Sequence, residues 1–395
     1  MPPSNRYRRG ATRFRSMPKS PKKPCLQIIG ALPPPYIGPF VAMERLLKAP
    51  ELTSAFGIQF VDISDRRPGS NIGHLEWHNV TLALRHAVTS LILLLRKRPD
   101  LLYLGISQGT WGYIRDLALV LPARFLGVPL VIHLRGSEFD RFYSTMPGIL
   151  RWITRDVFRN TSRVIVLGHG LKSIFANLVP EDRIRVIPNG INYRIFDRQA
   201  TLPPTPPAGK RILYLASLQR RKGLGLLLQS LPLIAQRHPD FELLIAGEWH
   251  DTDFKNESLA FIENTGLSRN CRFLGVVADQ TKIDTYLNAN LFVFTPMEPE
   301  GLPWVLLEAM SAGLPTISTR QGAIPDVVEQ GVTGYLVSPT PEELAGRICE
   351  LLDSPELATQ MGRAARQRVE SRFSEDAYFR SIASLFHEVV TEHAR

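Results

Sequence analysis

The segment with the most chemical potential contains two glutamates separated by seven residues, Glu300-Gly-Leu-Pro-Trp-Val-Leu-Leu-Glu308. Pro303 suits the first turn of a helix, where its missing N–H is no loss, and Gly301 lets a ligand approach the backbone. Free amides and the positive end of a helix dipole favour an anion at such a place. The segment therefore predicts a binding site for a diphosphate.

Glu308 falls within the apolar run that follows. A carboxylate in such a run is costly unless hydrogen bonds reach it, and sugar hydroxyls are good donors to it. The alternative is that Glu308 simply faces water on an amphipathic helix. The local pattern leaves both interpretations open.

A second chemical segment holds three successive cations, Arg220, Arg221 and Lys222, between an apolar run and a helical pattern that begins at Leu224. Arginine can clamp phosphate oxygens with its planar fork, and lysine can do so as a point charge. The alternative for each of the three is a solvated basic turn.

The first half of the chain offers a weaker pair of candidates. Gly38 lies in the proline-rich segment Ala31–Pro39, where a ligand could approach the backbone. His133 ends an apolar run and stands beside Arg135 and Glu138. A histidine at the end of a strand that faces a cleft can serve catalysis, and a purely structural role is the alternative.

Short apolar runs must position these residues, and they alternate with segments of helical length such as Leu75–Leu95 and Thr110–Leu126. This alternation predicts parallel βαβ units. The predicted strands are Leu26–Gly30, Leu101–Leu104, Pro129–Ile132, Val164–Val166, Ile184–Ile187, Ile212–Leu215, Phe241–Ala246, Arg272–Leu274, Leu291–Phe294 and Thr316–Ser318.

A proline cluster divides the two series of strands. Residues 202–209 contain four prolines, which remove backbone donors and block both helix and central strand, so we expect a linker there. Parallel sheets bind ligands at the carboxyl ends of their strands. Two α/β halves facing each other could therefore hold one substrate each.

Composition limits the class of protein. Of the 395 residues 44% are apolar and 21% charged, as in globular proteins. The longest strongly apolar stretch, Ala87–Leu95, is far shorter than the roughly 18 residues of a membrane span. The three cysteines fit a reducing cytosol, and no apolar secretory signal opens the chain. The familiar dinucleotide, NTPase, zinc-protease and serine-hydrolase motifs are absent from the sequence.

The net charge of +10 is concentrated near the start, because residues 1–24 contain eight Lys and Arg residues and no acid. Such a tail cannot bury a core, and we expect it to be disordered. It could be a solvated leader, or an extension preceding a true start at Met17. It could also contact anionic lipid, to which each basic residue adds about 1 kcal/mol. Nucleic acid is a weaker choice because no binding motif follows.

The ordered set of motifs resembles the retaining glycosyltransferases of family 4, also called group 1, which have a GT-B fold of two Rossmann-like α/β domains facing each other across a cleft. The Glu300–Glu308 element is the signature of this resemblance, which extends over nearly the whole chain after residue 24. Supporting matches, each common alone, are Pro33–Pro35, Ile187–Ile191, Leu244–Glu248, Phe273–Gly275, Gly322–Asp326 and Gly331–Gly334.

The resemblance implies a role for each residue of the second half. Glu308 would bind the ribose hydroxyls of a nucleotide-sugar donor, and Glu300 would act catalytically at the transferred sugar. Amides around Gly301 and Leu302 would contact the sugar and the diphosphate. Lys222 would bind phosphate.

The resemblance also implies roles for two residues of the first half. At two other positions the sequence departs from the family pattern. Gly38 would lie near the phosphates, and His133 would stand beside the donor sugar as a catalytic residue. Ala216-Ser217 replaces the family's Gly-Arg, so Arg221, or else Arg220, would supply the missing phosphate arginine. Asp326 stands where the family often has glutamate.

The resemblance also implies a domain division. Residues 25–200 would form the acceptor-side domain and residues 201–372 the nucleotide-sugar domain. Residues 373–395 would form a helix packing back on the first domain.

The function implied is a retaining transfer from a UDP- or GDP-linked sugar to a saccharide or lipid-linked acceptor, as in cell-surface polysaccharide assembly. No D-x-D motif follows a strand, and basic residues with helix termini can neutralise the leaving diphosphate, so we expect no metal and no cofactor. We expect a cytoplasmic location, either free or peripheral at the inner membrane face, and no nucleic-acid partner. Sugar-nucleotide epimerisation, glycogen-type phosphorolysis and a non-catalytic GT-B subunit are the alternatives.

The basic tail gives a first prediction. A chain that starts at Met17 loses five arginines and should sediment less with anionic liposomes at low salt than the full chain. Its fold and donor binding should be unchanged, because the first predicted strand begins near Leu26. Equal sedimentation of both forms would show that these arginines do not anchor the protein.

Overall fold

The computed structural model describes residues 23–34, 38–65, 77–197 and 209–394. Nearly all of the predicted tail and linker lies outside the described residues. The described chain forms two parallel sheets of six strands each, flanked by helices.

The first sheet is built from β1 (Cys25–Gly30), β2 (Gly57–Asp62), β3 (Leu101–Gly105), β4 (Leu130–His133), β5 (Arg163–Val166) and β6 (Ile184–Val186). Its helices are α1 (Gly38–Lys48), α2 (Pro50–Ala55), α3 (Trp77–Arg96), α4 (Thr110–Phe125), α5 (Phe139–Thr145) and α6 (Gly148–Arg159).

The second sheet is built from β7 (Arg211–Leu215), β8 (Glu242–Ala246), β9 (Cys271–Gly275), β10 (Leu291–Phe294), β11 (Thr316–Thr319) and β12 (Gly334–Val337). Its helices, and the last helix of the chain, are α7 (Leu224–Arg237), α8 (Thr252–Asn264), α9 (Asp279–Leu287), α10 (Trp304–Ser311), α11 (Ile324–Val327), α12 (Pro341–Asp353), α13 (Pro355–Arg372) and α14 (Glu375–His393).

Strand order places one ligand crevice in each sheet. The orders are β2-β1-β3-β4-β5-β6 and β12-β11-β10-β7-β8-β9, so the direction of winding reverses between β1 and β3 and between β7 and β10. Loops diverge at such a switch point and leave a crevice beyond the carboxyl ends of the strands. The predicted fold of two Rossmann-like halves is confirmed.

All the predicted strands are present, but two further strands, β2 and β12, were not predicted from the sequence. Both lie at the edge of a sheet. Five of the six residues of β2 are partly exposed, so it lacks the continuous apolar run of a central strand. The four-residue β12 begins at Gly334, in a segment that reads as a turn.

Helix α14 follows the second half in sequence but packs on the first sheet. The ring of Phe386 is fully buried and lies 5.3 Å from the Tyr103 ring and 6.2 Å from the Phe56 ring. Arg163 of β5 also pairs with Glu388 of the helix, at 2.6 Å. The last helix therefore ties the end of the chain to its first half.

Among the described residues, no helix combines the length and the apolar character that crossing a membrane requires.

The packing of α14 gives a prediction. Phe386→Ala removes a fully buried ring and should lower the free energy of unfolding by about 3–5 kcal/mol. Ser384→Ala, at an exposed position of the same helix, is the control and should change it little. Chemical denaturation measures both. Equal stability of the two variants would show that α14 contributes little to the first half.

Candidate functional site

The loops that follow β7 and β10 meet at the switch point of the second sheet. The backbone N–H of Met297 donates to the carbonyl of Arg221 at 2.9 Å, and Thr295 Oγ1 donates to the carbonyl of Gly223 at 3.1 Å. These bonds hold the two predicted chemical segments side by side.

Lys222 and Glu300 form a close ion pair in this crevice. Lys222 Nζ lies 2.6 Å from Glu300 Oε1, and the two side chains are only 15% and 13% exposed. Arg221 Nη1 lies 3.7 Å from the same carboxylate oxygen and is more exposed. The structure therefore brings two predicted site residues, Lys222 and Arg221, together around the carboxylate of a third, Glu300.

Arg220 is not part of this group. It contacts carboxylates at and near α8, with Glu257 at 2.6 Å and Asp251 at 3.6 Å. Of the two arginines considered as replacements for the family's phosphate arginine, Arg221 is thus the one beside Glu300.

Glu308 lies on α10 and is shielded from water, with a side chain that is 14% exposed. Its Oε1 accepts from Lys282 Nζ at 2.5 Å, and its Oε2 accepts from Tyr286 Oη at 2.9 Å. Burial, then the charge of Glu308, raises the pKa of Tyr286 well above its usual value, so the phenol stays a donor. The interpretation that Glu308 simply faces water is therefore wrong.

Lys282 and Tyr286 were not predicted from the sequence. They stand four residues apart on α9, so that their side chains share one face of that helix. This spacing could have paired them with each other. It could not show that the face meets α10, because that contact depends on the tertiary fold.

His133, at the end of β4, is fully buried. Its Nδ1 lies 2.8 Å from Tyr103 Oη, which also accepts from Arg135 Nη2 at 3.4 Å. Burial, followed by the charge of Arg135, lowers the pKa of His133 well below its usual value. Burial also raises the pKa of Tyr103, so the phenol keeps its proton.

These contacts are compatible with a His133 tautomer that carries its proton on Nε2. Arg135 only donates, so the Tyr103 hydroxyl can donate to His133 Nδ1, and in that arrangement the imidazole proton resides on Nε2. Among the described residues, Nε2 has no hydrogen-bond partner. With its proton on Nε2, the neutral His133 presents an N–H donor.

Two predicted glycines lie where the loops of the two sheets approach each other. A Cβ on Gly301 would stand 2.6 Å from the backbone oxygen of Arg135, so a side chain there requires the backbone to move. A Cβ on Gly38 would stand 3.0 Å from the Trp304 ring at the start of α10. Gly38 thus faces the helix that carries Glu308.

Polar contacts join the same two sets of loops. Asn189 Nδ2 donates to the Leu302 carbonyl at 3.3 Å, and Arg135 Nη1 donates to Asn189 Oδ1 at 3.1 Å. Asp326 accepts from the His169 backbone N–H at 2.7 Å. The aspartate that departs from the family pattern therefore joins the two halves directly.

A cavity of about 580 Å³ opens in the first half at the ends of β1, β3 and β4. It is lined by His133 and Arg135 from β4 and its following loop, by His86 of α3, and by Trp111 and Arg115 of α4. Aromatic and polar groups of this kind suit a hydroxylated ligand.

Among the described residues, no three His, Cys, Asp or Glu side chains converge to hold a metal ion. The expectation of a metal-independent reaction stays a prediction.

Solved structures with the same fold cover nearly the whole chain. A glycosyltransferase from Rickettsia africae superposes with a TM-score of 0.72 at 18% identity, over 93% of this chain and 99% of that one. Anabaena HepE, solved in complex with UDP and glucose, superposes with a TM-score of 0.68 at 20% identity, over 92% and 99%.

Similar sequences include a glycogen synthase of Mycobacterium tuberculosis, 29% identical over 311 residues that span 74% of this chain and 71% of the relative. A phosphatidyl-myo-inositol mannosyltransferase of the same organism is 33% identical over 159 residues, 40% of each chain.

Two family models match consecutive parts of the chain. The glycosyl transferase 4-like domain matches residues 58–190, and glycosyl transferases group 1 matches residues 198–368. The first match contains His133, and the second contains Lys222, Glu300 and Glu308. With the two-sheet fold and the glycosyltransferase relatives, they show that this chain is an enzyme of the group 1 glycosyltransferases, built on the GT-B fold.

Proposed function

We propose that this glycosyltransferase moves a sugar from a nucleotide-linked donor to a saccharide or lipid-linked acceptor, with retention at the anomeric carbon and without a metal ion. The observation that carries the proposal is the shielded Lys222–Glu300 pair at the switch point of the second sheet, 2.6 Å between charged atoms. An ammonium and a carboxylate held together there offer one group for phosphate and one for sugar hydroxyls.

The donor would lie across the loops after β7 and β10. Lys222 and Arg221 would bind the diphosphate oxygens, and free amides before α10 would add hydrogen bonds. Glu300 would then turn to the hydroxyls of the transferred sugar. Glu308, already bound by Lys282 and Tyr286, would accept from the ribose hydroxyls.

The reaction would proceed on one face of the sugar. The acceptor oxygen forms the new bond to the anomeric carbon while the bond from that carbon to the donor phosphate breaks. The acceptor proton passes to a phosphate oxygen, and the nucleoside diphosphate leaves with it. The cations of the second half would stabilise the charge that develops on the leaving group.

His133 would contribute a hydrogen bond rather than a charge. Its pKa is lowered well below the usual value, so the imidazole is neutral, and the N–H at Nε2 can donate to a sugar oxygen. The cavity beside it would receive the acceptor.

Relatives support the choice of substrates. A glycogen synthase and a phosphatidyl-myo-inositol mannosyltransferase fit saccharide and lipid-linked acceptors, respectively. HepE in complex with UDP and glucose favours a UDP-linked donor over a GDP-linked one.

A panel of UDP- and GDP-linked sugars tests the proposal. The true donor should raise the unfolding temperature of the protein and, with EDTA present, yield a glycoside of unchanged anomeric configuration. Conversion of the donor without an acceptor would identify an epimerase instead. Loss of product in EDTA, or an inverted product, would refute the metal-independent or the retaining part of the proposal.

Glu308→Gln should weaken donor binding by roughly ten- to a hundredfold, because the variant loses a charge-assisted hydrogen bond to the ribose. Calorimetry with the nucleoside diphosphate measures the affinity. Glu263→Gln on the exposed surface of α8 is the matched control and should bind normally. Unchanged affinity in a folded Glu308 variant would remove this residue from the donor site.

Glu300→Gln should mainly lower kcat, by roughly ten- to a hundredfold, while the affinity for the nucleoside diphosphate stays within a few-fold. The reason is that Glu300 would contact the transferred sugar, whereas Lys222 holds the phosphates. Steady-state kinetics and calorimetry on the same sample separate the two effects. A rise in KM with kcat unchanged would contradict the assignment.

A further inference from the structure

Three helices that cover one side of the first sheet have apolar side chains on both faces. Their inner faces join the core, with Leu94 of α3, Leu117 of α4 and Phe158 of α6 all buried. Their outer faces also carry large apolar side chains, which a solvated helix normally replaces with polar ones.

We call this surface the outer face and define it by the exposed large apolar residues of the three helices. They are Leu84, Val88, Leu91, Ile92 and Leu95 on α3, Trp111, Ile114 and Phe125 on α4, and Ile149 and Trp152 on α6. Phe125 is 82% exposed, Ile149 74%, Trp152 71% and Leu95 66%. A surface of this kind marks an interaction site.

The three helices are neighbours, so the outer face is continuous. Arg98, just after α3, donates to the Gly127 carbonyl, just after α4, at 3.2 Å. Arg124 near the end of α4 lies 3.5 Å from Asp156 of α6. The spacing of the α3 residues also places them on one side of the helix.

The charges of the outer face are mostly basic. The three helices contain only two acids, Asp116, which is 1% exposed, and Asp156, which pairs with Arg124. Exposed arginines on the same helices are Arg85, Arg96, Arg151, Arg155 and Arg159. A second copy of this face would bring like charges together, whereas an anionic surface would complement them.

Strand β1 begins at the edge of this face. Asp100, which follows Arg96-Lys97-Arg98 at the end of α3, accepts from the Cys25 N–H at 2.6 Å and donates to the Cys25 carbonyl at 2.8 Å. Cys25, the first residue of β1, therefore lies beside the basic end of α3.

We propose that the outer face lies on an anionic lipid bilayer, with apolar side chains such as Phe125 and Trp152 in the headgroup region and the arginines at the phosphates. Tryptophan is favoured at such interfaces, and amphipathic helices bind there without spanning the membrane. The inference goes beyond the proposed reaction and does not depend on it.

The position of the cavity gives this docking a consequence. Trp111 belongs to the outer face and also lines the cavity, together with Leu82 and His86 of α3. The cavity thus opens beside the surface that would lie on the bilayer. An acceptor with a lipid anchor could place its polar part in the cavity while its chain stays in the membrane.

Sedimentation of the full chain with vesicles tests the proposal. The vesicles contain phosphatidylcholine alone or mixed with phosphatidylglycerol. Phe125→Glu/Trp152→Glu should weaken binding to the anionic vesicles by roughly tenfold or more, because two apolar side chains lose their burial. Leu259→Glu, on the exposed side of α8 in the second half, is the matched control and should bind normally. Binding to phosphatidylcholine alone should be much weaker.

A second measurement uses a conservative substitution in place of the two changes to glutamate. Vesicles with brominated acyl chains should quench the tryptophan fluorescence of the full chain, and Trp152→Phe should reduce the quenching while keeping the affinity. The proposal would be overturned if the full chain and Trp152→Phe were quenched equally. It would also be overturned if Phe125→Glu/Trp152→Glu bound vesicles as well as the Leu259→Glu control, and the basic tail would then be the remaining anchor. If the double variant lost an oligomer that the unchanged protein forms, while its vesicle binding stayed the same, the outer face would instead join copies of this chain.

Discussion

The candidate site depends on the point in the second sheet where the chain first runs outward through β8 and β9 and then returns to the other side of β7. Two adjacent strands, β7 and β10, send their following loops in opposite directions there. Hydrogen bonds from Met297 to Arg221 and from Thr295 to Gly223 hold the diverging loops together at their base. Because of this constraint, residues 78 positions apart, Lys222 and Glu300, share one crevice.

Sequence patterns predicted the elements that depend on residues close together in the chain. Continuous apolar runs identified the buried strands, and the glycine and proline before α10 indicated a ligand-binding helix start. The edge strand β2 was not predicted, because it is half-buried and its residue pattern therefore resembles that of a loop. The hydrogen-bond partners of Glu308 were not predicted, because Lys282 and Tyr286 reach it only when α9 packs beside α10. The spacing of Glu300 and Glu308 likewise could not show that each carboxylate already has a lysine partner.

The two halves present different electrostatic properties to whatever lies between them. The second half offers full charges, with Lys222 and Arg221 both within 3.7 Å of one carboxylate oxygen of Glu300. The first half offers His133, which burial and the charge of Arg135 keep neutral and which hydrogen-bonds to Tyr103. Charged groups suit a diphosphate, and a neutral donor suits a sugar hydroxyl. This division fits the proposed roles of the halves.

The pairing of Lys222 with Glu300 has a further physical consequence for the proposed reaction. Removing one member of a shielded pair leaves an uncompensated charge and costs several kcal/mol, whereas exchanging one anion for another preserves the balance. A donor diphosphate that took Lys222 would supply the new anion. It would release Glu300 at the moment when hydroxyls of the transferred sugar arrive to hydrogen-bond it. A sugar without the nucleotide would free neither residue, and a nucleotide without the sugar would draw Lys222 and Arg221 away from Glu300 with no hydroxyl to replace them. The ion pair would thus make recognition of the phosphate and of the sugar mutually dependent, within one crevice and with no moving part beyond two side chains.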